Sequence, residues 1–379
     1  MIVRHFLQWV QTAPAARRAD ATGALARAYL YSDLSPDERA AAEEAMIFLL
    51  DDPSANVRYA LAEPLARSPD APDVIILALA DDLPEIAAIV LERSPLLFDA
   101  DLVDFVGAGE SWKQAAIARR MDLPRSVSAA IAEVGSAEAC LSLAENPTAE
   151  IPAFSIERIV ERHGHLSAIR ESLFGRSDLP ASMRQMLVVK LSDTLAGQVI
   201  ARDWMNEAQV RRIAREACDK VTVALAARST DLEIRPLVRH LRESGQLTAG
   251  LVLRALLSGN LLMFEEALSE LSSLPLSRVT ALIHDRRAAG LRAVYDKAGL
   301  PASAFPAVRV AIEAMHEIGF IGERGGEIRL RRRVIERVLT HCEQDPELEV
   351  SPLLALLRRF ATESAREEAR LFCDELAAA

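Results

Sequence analysis

Residues 52–62 read DPSANVRYALA, a proline-containing turn that leads into a helix with a regular apolar face. Val57, Leu61 and Leu65 follow one another at intervals of four residues, which places them on one side of an α-helix. A preceding helix is predicted to begin at Ser35, where Ser-Pro-Asp-Glu has the form of a capping box, and to end at the turn. The segment is therefore predicted to be a pair of helices joined by a short turn.

The same arrangement recurs further along the chain. An apolar run at residues 74–79 is followed by the turn sequence DDLP at residues 81–84 and by a second apolar face that includes Ile86 and Val90. The Asp-Asp pair of this turn lies 30 residues after the pair at residues 51–52. Later helix pairs are punctuated by proline at uneven spacing. The sequence therefore predicts a degenerate array of stacked helix pairs, an α-solenoid.

The turn and the helix after it resemble the corresponding part of a HEAT repeat. In that family an Asp near the turn and an Arg in the second helix form a ladder between neighbouring repeats, and Asp52 and Arg58 occupy those positions. The second repeat keeps Asp82 but has Ala87 where the Arg would stand. The match is clear over about residues 35–95, and the resemblance implies a ladder that is incomplete.

The C-terminal half, together with these repeats, is similar to a family of uncharacterised bacterial HEAT-like proteins, a domain of unknown function. The similarity covers most of the chain, and its most distinctive part is KAGLP at residues 297–301. Gly259 and Gly299 are both typical of helix ends, because glycine accepts the left-handed conformation there. The resemblance implies a helical fold and a cytoplasmic location, and it implies no reaction.

We expect an all-α chain with a HEAT-like repeat region at residues 1–230, a helical C-terminal domain at 231–349 and a C-terminal helix at 350–379. At most one short β-hairpin is expected, at residues 320–330, where two apolar runs flank a Gly-rich turn. The last helix carries two separated apolar patches. They predict either a homodimer through this helix or packing of both patches onto residues 300–345.

Charge is distributed unevenly along the chain. Residues 1–110 contain 8 basic and 19 acidic residues and so carry the whole net charge of −11. Proteins that bind nucleic acid present basic surfaces to the phosphates, so this composition argues against nucleic acid as the partner. An arginine-rich run at residues 329–337 invites comparison with a DNA-binding wing, but Glu323, Glu327 and Glu336 offset its charge. The acidic end suits a protein partner with a basic surface.

The sequence shows no motif for a cofactor, a nucleotide or a metal ion. Cys140, Cys218, Cys342 and Cys373 contain no CxxC pair and are expected to be reduced thiols, as in the cytoplasm. The N-terminus has no secretory signal, and the longest apolar run, at residues 74–80, is too short to cross a bilayer. We therefore expect a cytoplasmic protein without a cofactor, a metal ion or membrane contact.

Two polar groups invite a functional interpretation. His163 and His165 flank Gly164, which suits a metal site or a helix end, and the lack of a second His or Cys cluster favours the helix end. The densest group lies in the segment from His284 to Lys297. It consists of His284, Asp285, Arg286, Arg287, Tyr295 and Lys297. An acid–base pair or an anion clamp could be built from it, but no nucleophile motif accompanies it, which favours a solvated face between two helices.

The sequence favours a non-catalytic protein-interaction module or scaffold, because a repeat array offers an extended surface and no catalytic motif is present. One alternative is nucleic-acid binding in the manner of HEAT-like DNA glycosylases, which grip the duplex in a basic groove. Another is a small-molecule sensor or an unrecognised enzyme centred on residues 284–297. A deep pocket converging on those side chains would favour this last alternative.

Overall fold

The computed structural model describes residues 6, 8–285, 288–318, 326–344 and 352–378, and within these ranges every regular element is a helix. The all-α prediction is therefore confirmed. In the same ranges, none of the helices combines the length and the apolar character needed to cross a bilayer. The backbone forms two compact units, Met1–Leu179 and Pro180–Ala379.

The first unit is a succession of short helices. They are α1 (Ala15–Tyr31), α2 (Pro36–Leu49), α3 (Ala55–Leu65), α4 (Asp73–Ala80), α5 (Pro84–Arg93), α6 (Asp99–Gly107), α7 (Ser111–Ala118), α8 (Arg125–Val134), α9 (Ala137–Glu145), α10 (Ala153–His163) and α11 (Ser167–Gly175). The predicted capping box begins α2, where the Ser35 hydroxyl accepts from the Glu38 amide and the Glu38 carboxylate accepts from the Ser35 amide at 3.1 Å. Hydrogen bonds from Ser35 also lower the pKa of Glu38.

Helices of the first unit pack against their next-but-one neighbours. Helices α1, α3, α5, α7, α9 and α11 form one row of successive contacts, and α6, α8 and α10 form another. This alternation is the contact pattern of a solenoid, in which each helix pair buries its apolar face against the next pair. Val57, Leu61 and Leu65 are fully buried, as their four-residue spacing predicted.

An arginine–aspartate ladder connects the first repeats. Arg18 donates from Nε and Nη2 to both carboxylate oxygens of Asp52 at 2.7 Å. Arg58 donates in the same way to Asp82 at 2.6 and 2.9 Å, and its Nη1 reaches the Asp52 carbonyl at 2.6 Å. Asp52 and Arg58 thus make the contacts that the resemblance implied, and position 87, an alanine, has no guanidinium to extend the series.

Later repeats are joined by arginines that donate to backbone carbonyls instead. Arg120 reaches the carbonyls of Leu91 and Ser94, both at 2.6 Å, at the end of α5. Arg162 reaches those of Ala132 and Gly135 at 2.7 and 2.8 Å, at the end of α8. The last carbonyls of a helix lack partners within it, and a guanidinium can satisfy two of them at once. Of the 44 basic residues of the chain 40 are arginine, and this role gives part of that bias a physical basis.

The second unit contains longer helices around one apolar core. They are α12 (Ala181–Ala201), α13 (Glu207–Arg228), α14 (Asp231–Glu243), α15 (Ala249–Leu257), α16 (Leu261–Ser272), α17 (Leu276–His284), α18 (Ala288–Lys297), α19 (Phe305–Ile318), α20 (Gly326–Glu343) and α21 (Pro352–Ala378), with a 3₁₀ turn at Ala302–Ala304. Gly259 and Gly299 follow helix ends and have φ angles of +80° and +69°, so both helix stops are confirmed.

The boundary between the units lies about fifty residues before the boundary at residue 230 that the sequence suggested. Ala181 on α12, and Val223 and Ala226 on α13, are buried in the core of the second unit. The two long helices therefore pack with the later helices of the chain, although their apolar pattern alone does not distinguish them from further repeats.

Of two expectations for the C-terminal region, the final helix is confirmed and the second strand of the hairpin is corrected. The first apolar run of the expected hairpin falls on residues 319–325, outside the described residues, and the second, at 327–330, is part of helix α20. The strand assignment of that second run was wrong, because the apolar residues after it, Val334 and Val338, continue with helical spacing toward the core. The predicted final helix is present as α21.

Candidate functional site

After its first residue, Asp73, helix α4 of the first unit is apolar on all sides, and only one side is covered. Ile75, Ile76 and Leu79 are fully buried in the unit, whereas Val74 is 62% and Leu77 is 46% exposed on the opposite side. A helix that is apolar all round is normally buried all round. The outward side of α4 is therefore a candidate contact surface.

The preceding repeat presents a similar face on α2. Ile47, which lies 30 residues before Leu77, is 40% exposed, and its neighbour Phe48 is 49% exposed. Corresponding positions of stacked repeats occur on the same face of an array. We use the name α2/α4 face for a set of exposed apolar residues and the carboxylates beside them. The apolar residues are Ile47, Phe48, Val74 and Leu77, and the carboxylates are Glu44, Asp51, Asp73 and Asp81.

Carboxylates flank these apolar residues on both helices. Glu44 and Asp51 accompany Ile47 and Phe48, and no basic side chain in the described part of the chain forms an ion pair with either. On α4, Asp73 is likewise exposed and unpaired within the described residues, and Asp81 receives Lys113 Nζ at 2.6 Å while its side chain stays 74% exposed. The α2/α4 face therefore combines apolar area with negative charge.

The structure separates the polar group that the sequence singled out between His284 and Lys297. Tyr295 is buried and donates its hydroxyl to the Pro301 carbonyl at 2.8 Å, with burial raising its pKa to about 12. His284, Asp285 and Lys297 are exposed, and Arg286 and Arg287 lie outside the described residues. Because Tyr295 is buried while the described charged members are exposed, these side chains do not converge on one site, and the segment gains no support as a sensor or enzyme site.

His284 instead meets residues from two other helices. Its Nε2 lies 3.1 Å from Oε1 of Glu265 on α16, and its Nδ1 lies 3.4 Å from Nε2 of His316 on α19. Thr280, one turn earlier on α17, donates its hydroxyl to the other oxygen of Glu265 at 2.6 Å. The sequence pointed to His284 but gave no signal for Glu265 or His316, which are distant in the chain.

His163 and His165 behave as the helix-end interpretation predicts. His163 is the last residue of α10 and Gly164 caps the helix. Burial lowers the pKa of His163, which favours its neutral form. Throughout the described residues, no group of three or more His, Cys, Asp or Glu side chains is arranged to hold a metal ion.

A charged cavity of about 200 Å³ lies in the second unit between α13, α15, α20 and α21. Lys220 bridges Glu363 and Glu367 at 2.7 and 2.8 Å, Arg254 pairs with Glu363 at 2.9 Å, and Arg331 pairs with Glu367 at 2.7 Å. Burial would raise the pKa of Glu363, but hydrogen bonds from Lys220 and Arg254 outweigh it and hold the pKa below its ordinary value. These mutually paired charges hold the last helix in place.

Most of the arginine-rich run at residues 329–337, on helix α20, is paired with carboxylates of α19, α20 and α21. Arg331 pairs with Glu367, Arg332 pairs with Glu336 and Glu368, and Arg337 pairs with Glu317. Charges neutralised within the chain are poor phosphate contacts. The structure therefore offers no support for a DNA-binding wing at this position.

The cysteines differ in accessibility. Cys140 and Cys342 are buried, Cys218 is partly buried and Cys373 is exposed, and all four are free thiols. Burial raises the pKa of Cys140 to about 11. A buried thiol with a raised pKa is a packing residue and a poor nucleophile.

A comparison with protein families identifies one that matches most of the chain. It is described as an uncharacterised protein conserved in bacteria (DUF2336), and it matches residues 86–347. The chain belongs to this family. The similarity that the C-terminal half showed to an uncharacterised bacterial family is thus confirmed. Neither a curated protein nor a solved structure matches the chain.

Proposed function

We propose that this member of the DUF2336 family is a non-catalytic, cytoplasmic interaction module that binds a basic protein segment on the α2/α4 face. The observation that carries the proposal is the outward side of α4, where Val74 and Leu77 lie exposed while Ile75, Ile76 and Leu79 on the other side are fully buried. The four cysteines of the chain are free thiols, which suits the reducing environment of the cytoplasm.

The apolar part of the face supplies the binding energy. Burying a Val or Leu side chain completely is worth about 1.5–3 kcal/mol, so covering the exposed fractions of Val74 and Leu77 is worth about 2 kcal/mol in total. A free energy of that size corresponds to a change in Kd of more than tenfold. Ile47 and Phe48 add to this if the partner spans both repeats.

The carboxylates define the chemistry of the partner. Glu44, Asp51 and Asp73 form no ion pair within the described residues, so they are available to Lys or Arg side chains of another protein. Complementary charges steer association and reject partners of the wrong sign more than they add affinity. We therefore expect a partner segment in which basic residues flank apolar ones.

Differential capture from a lysate of the native bacterium tests this proposal. The bait proteins are the full chain, the double variant Val74→Gln/Leu77→Gln, and the matched control Phe372→Gln, which removes an apolar side chain of 59% exposure from the second unit. We expect a basic protein that the full chain and the control retain equally and that the double variant loses by about tenfold or more. Capture should weaken as salt rises.

Two results would oppose the proposal. One is an identical set of captured proteins for the double variant and the control, with far-UV circular dichroism showing that both are folded. The other is captured material that disappears on nuclease treatment, which would favour the nucleic-acid alternative instead.

A further inference from the structure

Glu265, His284 and His316 form a chain of hydrogen-bond contacts that runs from a buried carboxylate to two exposed histidines. Glu265 is only 6% exposed and belongs to α16 in the core of the second unit. No Lys or Arg of the described residues pairs with its carboxylate, whose polar contacts there are the Thr280 hydroxyl at 2.6 Å and His284 Nε2 at 3.1 Å. Burying a carboxylate is costly unless hydrogen bonds or a cation compensate it, so the contacts with Thr280 and His284 are the ones that stabilise Glu265 in this position.

The Glu265 carboxylate determines which ring nitrogen of His284 carries the proton and which carries the lone pair. A carboxylate accepts a hydrogen bond, so His284 donates from Nε2 and, in the neutral ring, presents a lone pair on Nδ1. That nitrogen faces His316 Nε2 at 3.4 Å, with the ring centroids 5.6 Å apart. Two imidazole nitrogens from different helices thus face each other at 3.4 Å, and both histidines are exposed to solvent.

We propose that His284 Nδ1 and His316 Nε2 bind a divalent transition-metal cation of the zinc class, with Glu265 positioning His284 from behind. Two Zn–N bonds of 2.0–2.1 Å at a tetrahedral angle place their nitrogens about 3.3–3.4 Å apart, which matches the observed separation. Histidines that bind metal characteristically donate their other ring N–H to a carboxylate, and Glu265 provides that carboxylate.

The site has an open coordination sphere. In the described part of the chain no third His, Cys, Asp or Glu completes a metal-binding group with these histidines. Water would occupy the remaining positions, and the cation would exchange readily. Imidazole ligands suit zinc, copper and nickel, whereas magnesium and calcium prefer oxygen, so the site should discriminate against the latter two. His284 and His316 are 32 residues apart, which is why no ligand spacing was visible in the sequence.

Calorimetric titration of the full chain with ZnCl₂ at neutral pH tests the assignment, with His316→Ala as the main variant. His316 is exposed, so its removal should not disturb folding. The matched control is His165→Ala, which removes an exposed histidine from the first unit. We expect one Zn²⁺ per chain for the full chain and the control, and a loss of affinity of at least about tenfold for His316→Ala.

A second variant tests the positioning role of Glu265. Changes to such supporting carboxylates typically weaken metal affinity by about 10–100-fold, and Glu265→Gln should do the same. Imidazole resonances of His284 and His316 should shift together on Zn²⁺ addition in the NMR spectrum of the full chain. The assignment is overturned if His316→Ala binds Zn²⁺ as the full chain does, if Zn²⁺ shifts neither histidine, or if MgCl₂ competes on equal terms.

Discussion

The ladder contact between Arg58 and Asp82 allows a quantitative prediction about the first unit. The two side chains are 14% and 13% exposed, and the guanidinium makes two hydrogen bonds to Asp82 and one to the Asp52 carbonyl. Removing one partner of a fully buried ion pair costs about 3–5 kcal/mol, whereas an exposed pair contributes about 0–1 kcal/mol. Because these side chains lie nearer the buried limit, Arg58→Ala should lower the free energy of unfolding by about 3 kcal/mol.

A second prediction follows from the way the Arg58 guanidinium donates from several nitrogens at once. Lysine keeps the positive charge but cannot donate to both Asp82 oxygens and to a carbonyl on another side. Arg58→Lys should therefore cost about half as much as Arg58→Ala. Arg67→Ala is the matched control, because Arg67 is exposed and forms no ion pair among the described residues. It should change stability by less than about 0.5 kcal/mol.

Urea unfolding followed by far-UV circular dichroism measures these changes, and hydrogen exchange locates them. The amides of α3 and α4 should exchange faster in Arg58→Ala, whereas those of α16 in the second unit should be unaffected. The double variant Arg58→Ala/Asp82→Ala should be less destabilised than the sum of the single variants. If Arg58→Ala is no less stable than Arg67→Ala, the ladder is not a stabilising contact and the reasoning fails.

Three further predictions concern acidity, thiol reactivity and the last helix. Hydrogen bonds from Arg18 outweigh burial and hold the pKa of Asp52 below its ordinary value. The stability that this ion pair contributes is therefore present above about pH 4 and is lost as the pH falls through the pKa of Asp52 in the folded chain. Between pH 5 and pH 2 the urea midpoint of Arg18→Ala should fall less than that of the unmodified chain, because the variant has already lost the pair. Iodoacetamide at pH 8 should label Cys373 and leave Cys140 unmodified in mass spectra, and equal labelling would contradict the burial of Cys140. Truncation after His341 removes Glu363 and Glu367 from the cavity, leaves Lys220, Arg254 and Arg331 there without these partners, and should unfold the second unit, as judged by circular dichroism. Light scattering that shows a folded, monomeric truncated chain beside a dimeric full chain would favour the homodimer instead.

Of the two apolar patches of α21, only the second, around Phe372, remains exposed, so the homodimer prediction now concerns that patch alone. Leu353, Leu354, Leu357 and Phe360 are buried in the core of the second unit and are not free to meet a second copy. Beyond them, Phe372 is 59% exposed. Packing onto the chain thus accounts for the first patch, and a homodimer through the second patch stays a prediction.

Features set by local sequence could be predicted. The four-residue spacing of Val57, Leu61 and Leu65 specifies which side of α3 is buried, and the ladder follows from two residue types at defined positions of a repeat. Even its interruption was visible, because alanine at position 87 cannot replace a guanidinium. These are contacts within one repeat or between adjacent repeats, where sequence distance and spatial distance agree.

Features that depend on distant parts of the chain could not be predicted. Glu265 and His316 meet His284 only because α16, α17 and α19 pack around one core, and no sequence spacing encodes that meeting. The same holds for Lys220 and Glu367, which meet at the charged cavity. The exposure of Leu77 was equally hidden, since an apolar run reads as buried until the neighbours of each side are known.

Site-specific photo-cross-linking in living cells tests the central claim, that the α2/α4 face binds a protein partner, most directly. A photoreactive phenylalanine analogue is placed at Leu77 in the full chain, and at Phe372 in a control chain, since both positions are exposed. We predict an adduct with a basic protein at position 77 that is absent at position 372 and is lost when Val74→Gln is added. An adduct with a basic protein at position 372 but not at position 77 would show that the partner binds elsewhere and would contradict the account, whereas an adduct with a second copy of the chain at position 372 would report the homodimer.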